Sequence, residues 1–371
     1  MVSSADRPLA GASRYCHAAR TVPDPAADPA AFRDRVEAVV RGDGIDVLIP
    51  MTDVSASLLL QIRDANPALQ IPFPDREAYE AISDKRRLVE VAARLGVPVP
   101  QGVVIEESGS DREEARRWAA ERGFDVVLKP SRSVAVGPEG AAKAGVAVVG
   151  SAERFEAALA AYPPSAFPLL VQERIHGPGL GAFLLARKGE PVAHFAHRRL
   201  REKPPTGGVS VYRESIELRS DLRAYAEQIL KAFEWTGVAM VEFKEDEATG
   251  TPYLMEVNGR FWGSLQLAID AGVDFPILLL RLMRGDDPEP VTRYRTGVRS
   301  RWLWGDVDHL LWILRASRAT RRAHPDLPTR FGALIRFGRP WWPGDRLEVL
   351  WLRDARPFAR ESLNWFRSLV P

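Results

Sequence analysis

Two stretches, Val241-Glu242-Phe243-Lys244 and Met255-Glu256-Val257-Asn258-Gly259-Arg260, constrain this chain more than any other feature. Both alternate apolar and polar side chains, the period of a half-buried strand. The segment between them, 245–251, contains Gly250 and reads as a hairpin loop. A hairpin centred near residue 249 sets Glu242 opposite Glu256, with Cβ atoms roughly 5 Å apart. Glu256 and Asn258 lie two apart and share a face. Opposed carboxylates repel unless one is protonated or a cation lies between them. Two carboxylates and an amide oxygen form a hard-oxygen set suited to Mg²⁺, which takes phosphate oxygens as further ligands. The hairpin therefore predicts a metal–nucleotide site at Glu242, Glu256 and Asn258. The competing reading is a solvated acidic face on an ordinary hairpin.

At 371 residues the chain has room for about two or three domains. Its 46% apolar and 27% charged content excludes global disorder. One cysteine, Cys16, excludes an internal disulfide framework and a cysteine-based zinc site. No apolar run approaches the ~18–20 residues of a membrane-spanning helix. The first residues lack the apolar core of a signal peptide, so the expected compartment is the cytoplasm. The net charge of +2 hides an asymmetry. Residues 291–371 hold 16 Arg, no Lys, 7 acids and seven of the ten Trp, a net of +9 on a body of −7.

Along the chain, Asp46–Pro50 and Leu69–Phe73 read as short parallel strands around a helix capped by Thr52-Asp53, part of a doubly wound sheet. Ser83-Asp84 caps a helix from Lys85 to Leu95, and Gly96, Pro98 and Pro100 mark a boundary. Helices are expected at 112–122, 152–162 and 221–234, with strands at 124–129, 144–149 and 169–172 and around Phe183 and Val192. The basic segment 197–208 reads as a loop, and the chain beyond Arg260 as helical.

Three further groups carry chemistry. Lys85 lies in the first turn of its helix, where a cation opposes the helix dipole unless it serves an anion. Lys129 ends a strand before a long loop with Gly137, Gly140 and Gly145. Gln172-Glu173-Arg174-Ile175 offers backbone groups and an amide to a purine edge. The following G-x-G-x-G (177–181) lacks the spacing and the helix of a dinucleotide fingerprint. His197-Arg198-Arg199-Leu200-Arg201 can clamp a carboxylate or phosphate. Taken singly, each lysine and the basic segment read as well as surface charge.

In this order, Lys85, Lys129-Pro130, the Gly-rich loop, Gln172-Glu173-x-Ile175-x-Gly177, Glu242 and Glu256-x-Asn258-x-Arg260 resemble the ATP-grasp superfamily, over roughly residues 48–280. The stretch 197–202, Gly207-Gly208 and Asn258-Gly-Arg-Phe-Trp-Gly-Ser-Leu265 looks like its carboxylate–amine ligase-like, or carbamoyl-phosphate-synthase-like, branch. The resemblance implies an α/β and α+β ATP-grasp fold with an N-terminal, shortened doubly wound domain (1–95), a small subdomain (96–170), a large subdomain with the metal site (171–289) and an Arg/Trp-rich helical extension (290–371). It implies that Lys85, Lys129, Gln172, Glu173 and Ile175 bind ATP. It makes Glu242, Glu256 and Asn258 the Mg²⁺ ligands, with Mn²⁺ as a substitute, and sets Arg260 and Arg198 against the reacting carboxylate. Two departures stand out. Gly179 replaces a ribose-binding Glu of many relatives, and the chain enters at the second strand of the usual first unit.

The activity so implied is ATP-dependent joining of a small carboxylate to an amine through an acyl phosphate, with the 131–144 loop excluding water. The alternatives are bicarbonate or carbamate activation, and a non-catalytic ATP-binding protein with a docking tail. The expected partners are small-molecule carboxylate and amine substrates, with a homodimer allowed and nucleic acid not expected. The tail, with an apolar stripe from Trp304 to Leu314, reads foremost as an extension folded on the core. A membrane-surface role would centre on Arg339-Pro-Trp-Trp-Pro343.

Overall fold

The computed structural model describes the chain apart from residues 67, 108, 133, 138, 139, 144, 325, 339–344, 370 and 371, and describes no side chain from 133 to 144 or at 323. The N-terminal unit begins with a short strand, β1 (Val2–Ser3), pairing in parallel with β2 (Arg20–Thr21). Helices α1 (Pro29–Asp43), α2 (Asp53–Ala65), α3 (Arg76–Ser83) and α4 (Lys85–Arg94) follow. The two expected strands at 46–50 and 69–73 meet at one parallel pair, Val47 with Gln70. Pro50 and Pro72 lack the N–H that would extend the ladder. Thr52 and Ser55 form a reciprocal cap on α2, and Asp84 caps α4 by accepting from the Arg86 and Arg87 N–H groups.

The small α+β unit contains β3 (Gly102–Ile105), α5 (Gly109–Ala120), β4 (Val126–Pro130), β5 (Val134–Gly137), β6 (Gly140–Lys143), β7 (Ala147–Val148), α6 (Ala152–Ala161) and β8 (Leu169–Glu173). Strands β3, β8, β4 and β7 form an antiparallel sheet whose buried face packs Ile105, Leu128, Leu169 and Val171 on Phe155 of α6. The stretch 131–144, expected as a loop, carries the hairpin β5–β6, with Val134 opposite Lys143 and Gly137 opposite Gly140.

The large unit is built on β9 (Gly179–Arg187), β10 (Glu190–Lys203), β11 (Val209–Ser215), α7 (Ser220–Ala232), β12 (Gly237–Glu245), β13 (Pro252–Asn258), α8 (Leu265–Ala271) and α9 (Phe275–Met283). The last part holds β14 (Arg299–Arg301), α10 (Leu303–Arg315), α11 (Arg318–Ala323), α12 (Arg330–Gly338), β15 (Asp345–Leu347) and α13 (Arg356–Ser368). The region is thus not wholly helical. Strands β14 and β15 complete a seven-stranded sheet in the order β13-β12-β9-β10-β11-β14-β15.

Alternation along β9 gives that sheet two different faces. Leu180, Ala182, Leu184 and Ala186 point to a core with α3, α4 and α7. Phe183 and Leu185 point to a second core with Met240, Trp262 and Phe275. On this second face Gly179 and Gly181 carry no side chain, so the apolar packing stops and a polar trough begins. The basic segment expected as a loop is the second half of β10, paired with β11 from His197 to Lys203. A β-strand fits these long side chains because each finds an acid on a neighbouring element.

The C-terminal extension is pinned by ion pairs and indole hydrogen bonds. Asp306 of α10 is fully buried and receives both Arg201 and Arg301. Trp302, Trp304 and Trp365 donate to Glu361, Ser362 and Asp308, and the Trp304 and Trp365 rings stack 4.3 Å apart. The Arg339-Pro-Trp-Trp-Pro343 segment lies outside the described residues. No described helix is long and apolar enough to cross a membrane.

Candidate active site

The β12–β13 hairpin sets Glu242 directly opposite Glu256 and Met240 opposite Asn258. All three polar residues lie on the trough face, since Glu242 pairs across β9 with Gly181. Each carboxylate has its own cation. Arg199 Nη2 lies 2.6 Å from Glu242 Oε1, and Lys85 Nζ lies 3.5 Å from Glu256 Oε2. Asn258 Nδ2 donates to Glu256 Oε1 at 3.0 Å. Lys129 Nζ donates to the Met255 carbonyl at 3.4 Å.

The electrostatics divide the pair. Burial lifts the Glu242 carboxyl above the usual range, against the pull of Arg199 and with the Glu256 and Glu202 charges adding to the rise. Burial works the same way on Glu256. There Lys85, the Asn258 amide, Lys129 and Arg199 together outweigh it and hold the carboxyl below the usual range. Burial and then the neighbouring Lys85 charge push Lys129 down to about 8, opposed by Glu256 and Glu242. Two lysines and two carboxylates thus share one partly enclosed place, with opposite charges offsetting each other's desolvation.

Local chain chemistry explains how these groups arrive there. Asp84 caps α4 and also accepts from Ser131 Oγ at 2.7 Å, while the Lys85 N–H donates to the Ser131 carbonyl at 2.8 Å. The helix that carries Lys85 is therefore tied to the chain just after Lys129-Pro130. At Asn258-Gly259-Arg260, a Cβ on Gly259 would lie 2.3 Å from the buried Trp235 ring, so only glycine lets the indole lie against this turn.

The two expected carboxylate-facing arginines behave differently from the expectation. Arg198 pairs with Leu180, on the face opposite Glu242, and both its Nε and Nη2 donate to Glu214 Oε2. Because the segment is a strand, Arg199 and not Arg198 reaches the carboxylate pair. Nothing but strand register separates the two, and reading the segment as a loop hid it. Arg260 does stand at the site, donating to Asn258 Oδ1 at 3.0 Å. Its fork is closed on Asp53 at the start of α2, at 3.0 and 2.9 Å, and Asp53 also accepts from Tyr79.

The segment 172–175, expected to meet an adenine edge, is well anchored. Gln172 is buried and its amide donates to the Pro100 carbonyl, while Glu173 accepts from the Gln101 N–H at 2.9 Å. Lys244 Nζ donates to the Ile175 carbonyl at 3.0 Å. The Gln172 and Glu173 side chains are thus engaged with the chain at Pro100-Gln101. Over Gly179, which departs from the expected ribose-binding Glu, lies the stem of Arg199; a Cβ there would meet its Cδ at 2.9 Å.

Among the described residues no group of three or more His, Cys, Asp or Glu side chains is placed to hold a metal. The set here is two carboxylates and an amide, which suits a Mg²⁺ ion bound by one or two carboxylates and completed by phosphate oxygens and water. Two cavities flank it. One of about 190 Å³ opens beside Lys85, Glu256, Asn258 and Asp53, and one of about 730 Å³ lies on the Arg199 side.

A seven-stranded antiparallel-rich sheet beside a small α+β unit, with paired acids and lysines, gives the chain an ATP-grasp fold. Within it, residues 165–305 match the family described as ATP-grasp in the biosynthetic pathway with Ter operon. Solved structures agree on the fold. Biotin carboxylase from Campylobacter jejuni, in a β,γ-ATP complex, is 18% identical at a TM-score of 0.62, covering 81% of this chain and 68% of that one. The biotin carboxylase domain of Hydrogenobacter thermophilus 2-oxoglutarate carboxylase, with MgADP and bicarbonate, is 21% identical at 0.58, covering 72% and 60%. L-amino acid ligase from Bacillus licheniformis is 19% identical at 0.51, covering 71% and 62%. The chain thus spans less than two thirds of the length of the last two. No curated protein sequence matches it.

Proposed function

We propose that this protein is an ATP- and Mg²⁺-dependent ligase that activates a small carboxylate as an acyl phosphate and joins it to an amine. The observation that carries the reading is the opposition of Glu242 and Glu256, each with its own cation, beside Asn258. A protein that merely holds a nucleotide has no need of two opposed acids at the phosphate end.

Carboxylate oxide is a poor leaving group, and transfer of the γ-phosphoryl group replaces it with phosphate. In the first step a carboxylate oxygen forms a bond to the γ-phosphorus and the bond to ADP breaks. In the second, the amine nitrogen bonds to the carbonyl carbon and phosphate leaves. Such transfer depends on positioning and charge neutralisation. Bound Mg²⁺ would supply neutralisation of the phosphate oxygens, held by Glu242, Glu256 and Asn258. Lys129 and Lys85 balance the remaining phosphate charge from the other side. The chain at 172–175 receives the adenine edge. Arg260, next to Asn258, orients the carboxylate and then faces the tetrahedral oxyanion, which requires its fork to leave Asp53. The domain limits 1–95, 96–170, 171–289 and 290–371 belong to the same proposal, as does a cytoplasmic setting.

The experiment is ADP release over a panel of amino acids and small carboxylates, with mass spectrometry of the products. Release that needs both a carboxylate and an amine, with a condensed product, supports the reading. Release with bicarbonate and no amine would replace it by carboxyphosphate chemistry.

A further inference from the structure

In the C-terminal extension the two signs of charge are sorted between inside and outside. Six of its seven acids are turned to partners in the fold. Asp306 receives Arg201 and Arg301, and Asp308 receives Lys203 and the Trp365 indole. Glu348 pairs with Arg213, while Glu361 accepts from Trp302, Asp345 from Tyr212 and Asp354 from Ser13. Of the seven, Asp326 alone is exposed. The arginines go the other way. Between residues 303 and 369, eight are exposed and stand in no ion pair among the described residues. Arg315, Arg318, Arg322 and Arg330 lie around the junction of α10, α11 and α12, which Arg321 ties through the Ile313 and Pro328 carbonyls and Arg330 through the Ala316 carbonyl.

The same elements leave large apolar side chains outside. On α12, buried Ala333 packs with Phe337 against Leu310 and Ile313 of α10. Phe331, Leu334 and Ile335 are 73%, 47% and 53% exposed, and their i, i+3, i+4 spacing sets them on one face. On α13, Glu361 and Trp365 meet Trp302 and Trp304, while Leu363, Phe366 and Leu369 stay about half exposed. Trp304 and Asp308 meet α13 on a different side of α10 from Leu310 and Ile313, so α12 and α13 flank that helix.

The chemistry of this surface selects its partner. A second copy of the chain would set uncompensated arginines against arginines. A single-stranded nucleic acid would satisfy the cations but is gripped by aromatic stacking, and four of the six exposed apolar residues on α12 and α13 are aliphatic. An anionic bilayer surface satisfies both parts. Guanidinium heads meet lipid phosphates, and the apolar side chains enter the acyl boundary.

We propose that the C-terminal extension docks this protein on an anionic lipid bilayer, with the outer faces of α12 and α13 in the headgroup layer. Helices of 9 and 13 residues lie on such a surface and do not span it. Docking of this kind is independent of the reaction that the body carries out.

Flotation of the full-length protein with vesicles tests this, using phosphatidylcholine alone and phosphatidylcholine mixed with phosphatidylglycerol, at low and at high salt. Two double variants accompany the wild type: Phe331→Ser with Ile335→Ser, and Arg318→Glu with Arg322→Glu. All four positions are exposed, so both variants should keep the wild-type melting temperature. The wild type should bind the anionic vesicles at least about ten-fold tighter than the neutral ones and lose about ten-fold at high salt. Each variant should weaken binding to anionic vesicles by about ten-fold. Absence of binding, or equal binding to both vesicles, overturns the proposal. Full binding by both variants places the contact elsewhere and also overturns it. A wild-type dimer in size-exclusion chromatography that Phe331→Ser with Ile335→Ser dissociates assigns the face to self-association instead. Binding to a single-stranded oligonucleotide without binding to vesicles assigns it to nucleic acid, and either result overturns the membrane assignment.

Discussion

Glu242 and Glu256 face each other across one strand pair, and each has a cation of its own in contact: Arg199 holds the first at 2.6 Å and Lys85 the second at 3.5 Å. Removing the arginine leaves a partly buried carboxylate without its partner. Arg199→Met should therefore destabilise the protein by about 3 kcal/mol, the usual cost of breaking such a pair. Arg199→Met combined with Glu242→Gln should recover most of that loss. Additive destabilisation in the double variant, read from urea unfolding, would show that the pair is not coupled.

The Arg260–Asp53 fork links the N-terminal unit to the turn after β13 through two hydrogen bonds. Asp53→Asn removes the charge and loosens the fork. If Arg260 serves the carboxylate, the variant should change KM for the carboxylate at least three-fold while KM for ATP stays put. A shift confined to ATP would assign the arginine to the nucleotide instead.

Gly259 lies against Trp235, and an added methyl would stand 2.3 Å from the ring. Overpacking of this kind costs typically 1–3 kcal/mol, so Gly259→Ala should lower stability by about that much and reduce turnover by displacing Asn258 and Arg260. Gly250→Ala in the hairpin loop meets nothing within 4 Å and strains only its positive φ of 68°. It should cost no more than about 1 kcal/mol. Equal losses in chemical unfolding would remove the steric argument.

The hairpin was legible because strand alternation and loop composition together set the register, and register alone places Glu242 against Glu256. Helix starts at Thr52 and Asp84 were legible from their caps. What escaped depended on contacts distant in sequence. The second half of β10 looked like a loop because it is a run of charges, and its partners Glu214, Glu242 and Asp306 are scattered along the chain. With the strand unseen, Arg198 and Arg199 could not be sorted between faces. Strand β15 adds to β14 in parallel across 43 intervening residues, 302–344, a pairing that local pattern cannot announce. The prolines at 50 and 72 were visible, but their effect on pairing required knowing which segments would meet.

Two histidines set an acid limit on stability. His197 is buried against Phe183, its ring nitrogens lack partners among the described residues, and burial with the charges of Arg199 and Arg213 drives its pKa well below the usual value. Burial also lowers His194, against the opposing pull of Glu227. Unfolded histidine takes up a proton near pH 6.5, and the folded sites do so only at lower pH. The stability they contribute is present above about pH 6.5 and is lost as pH falls below it, by up to about 1.4 kcal/mol per pH unit per histidine. The melting temperature should drop between about pH 7.5 and 5.5, and His197→Phe should flatten that drop. An unchanged slope in the variant would count against a neutral buried His197.

The most direct test is ADP release with carboxylate and amine present, wild type against Glu256→Gln, with both proteins shown by circular dichroism to have the same fold and melting temperature. The wild type should release ADP only when both substrates are present, and Glu256→Gln should release none above background. ADP release by Glu256→Gln at the wild-type rate would contradict the assignment of the paired carboxylates as the metal site on which the account depends.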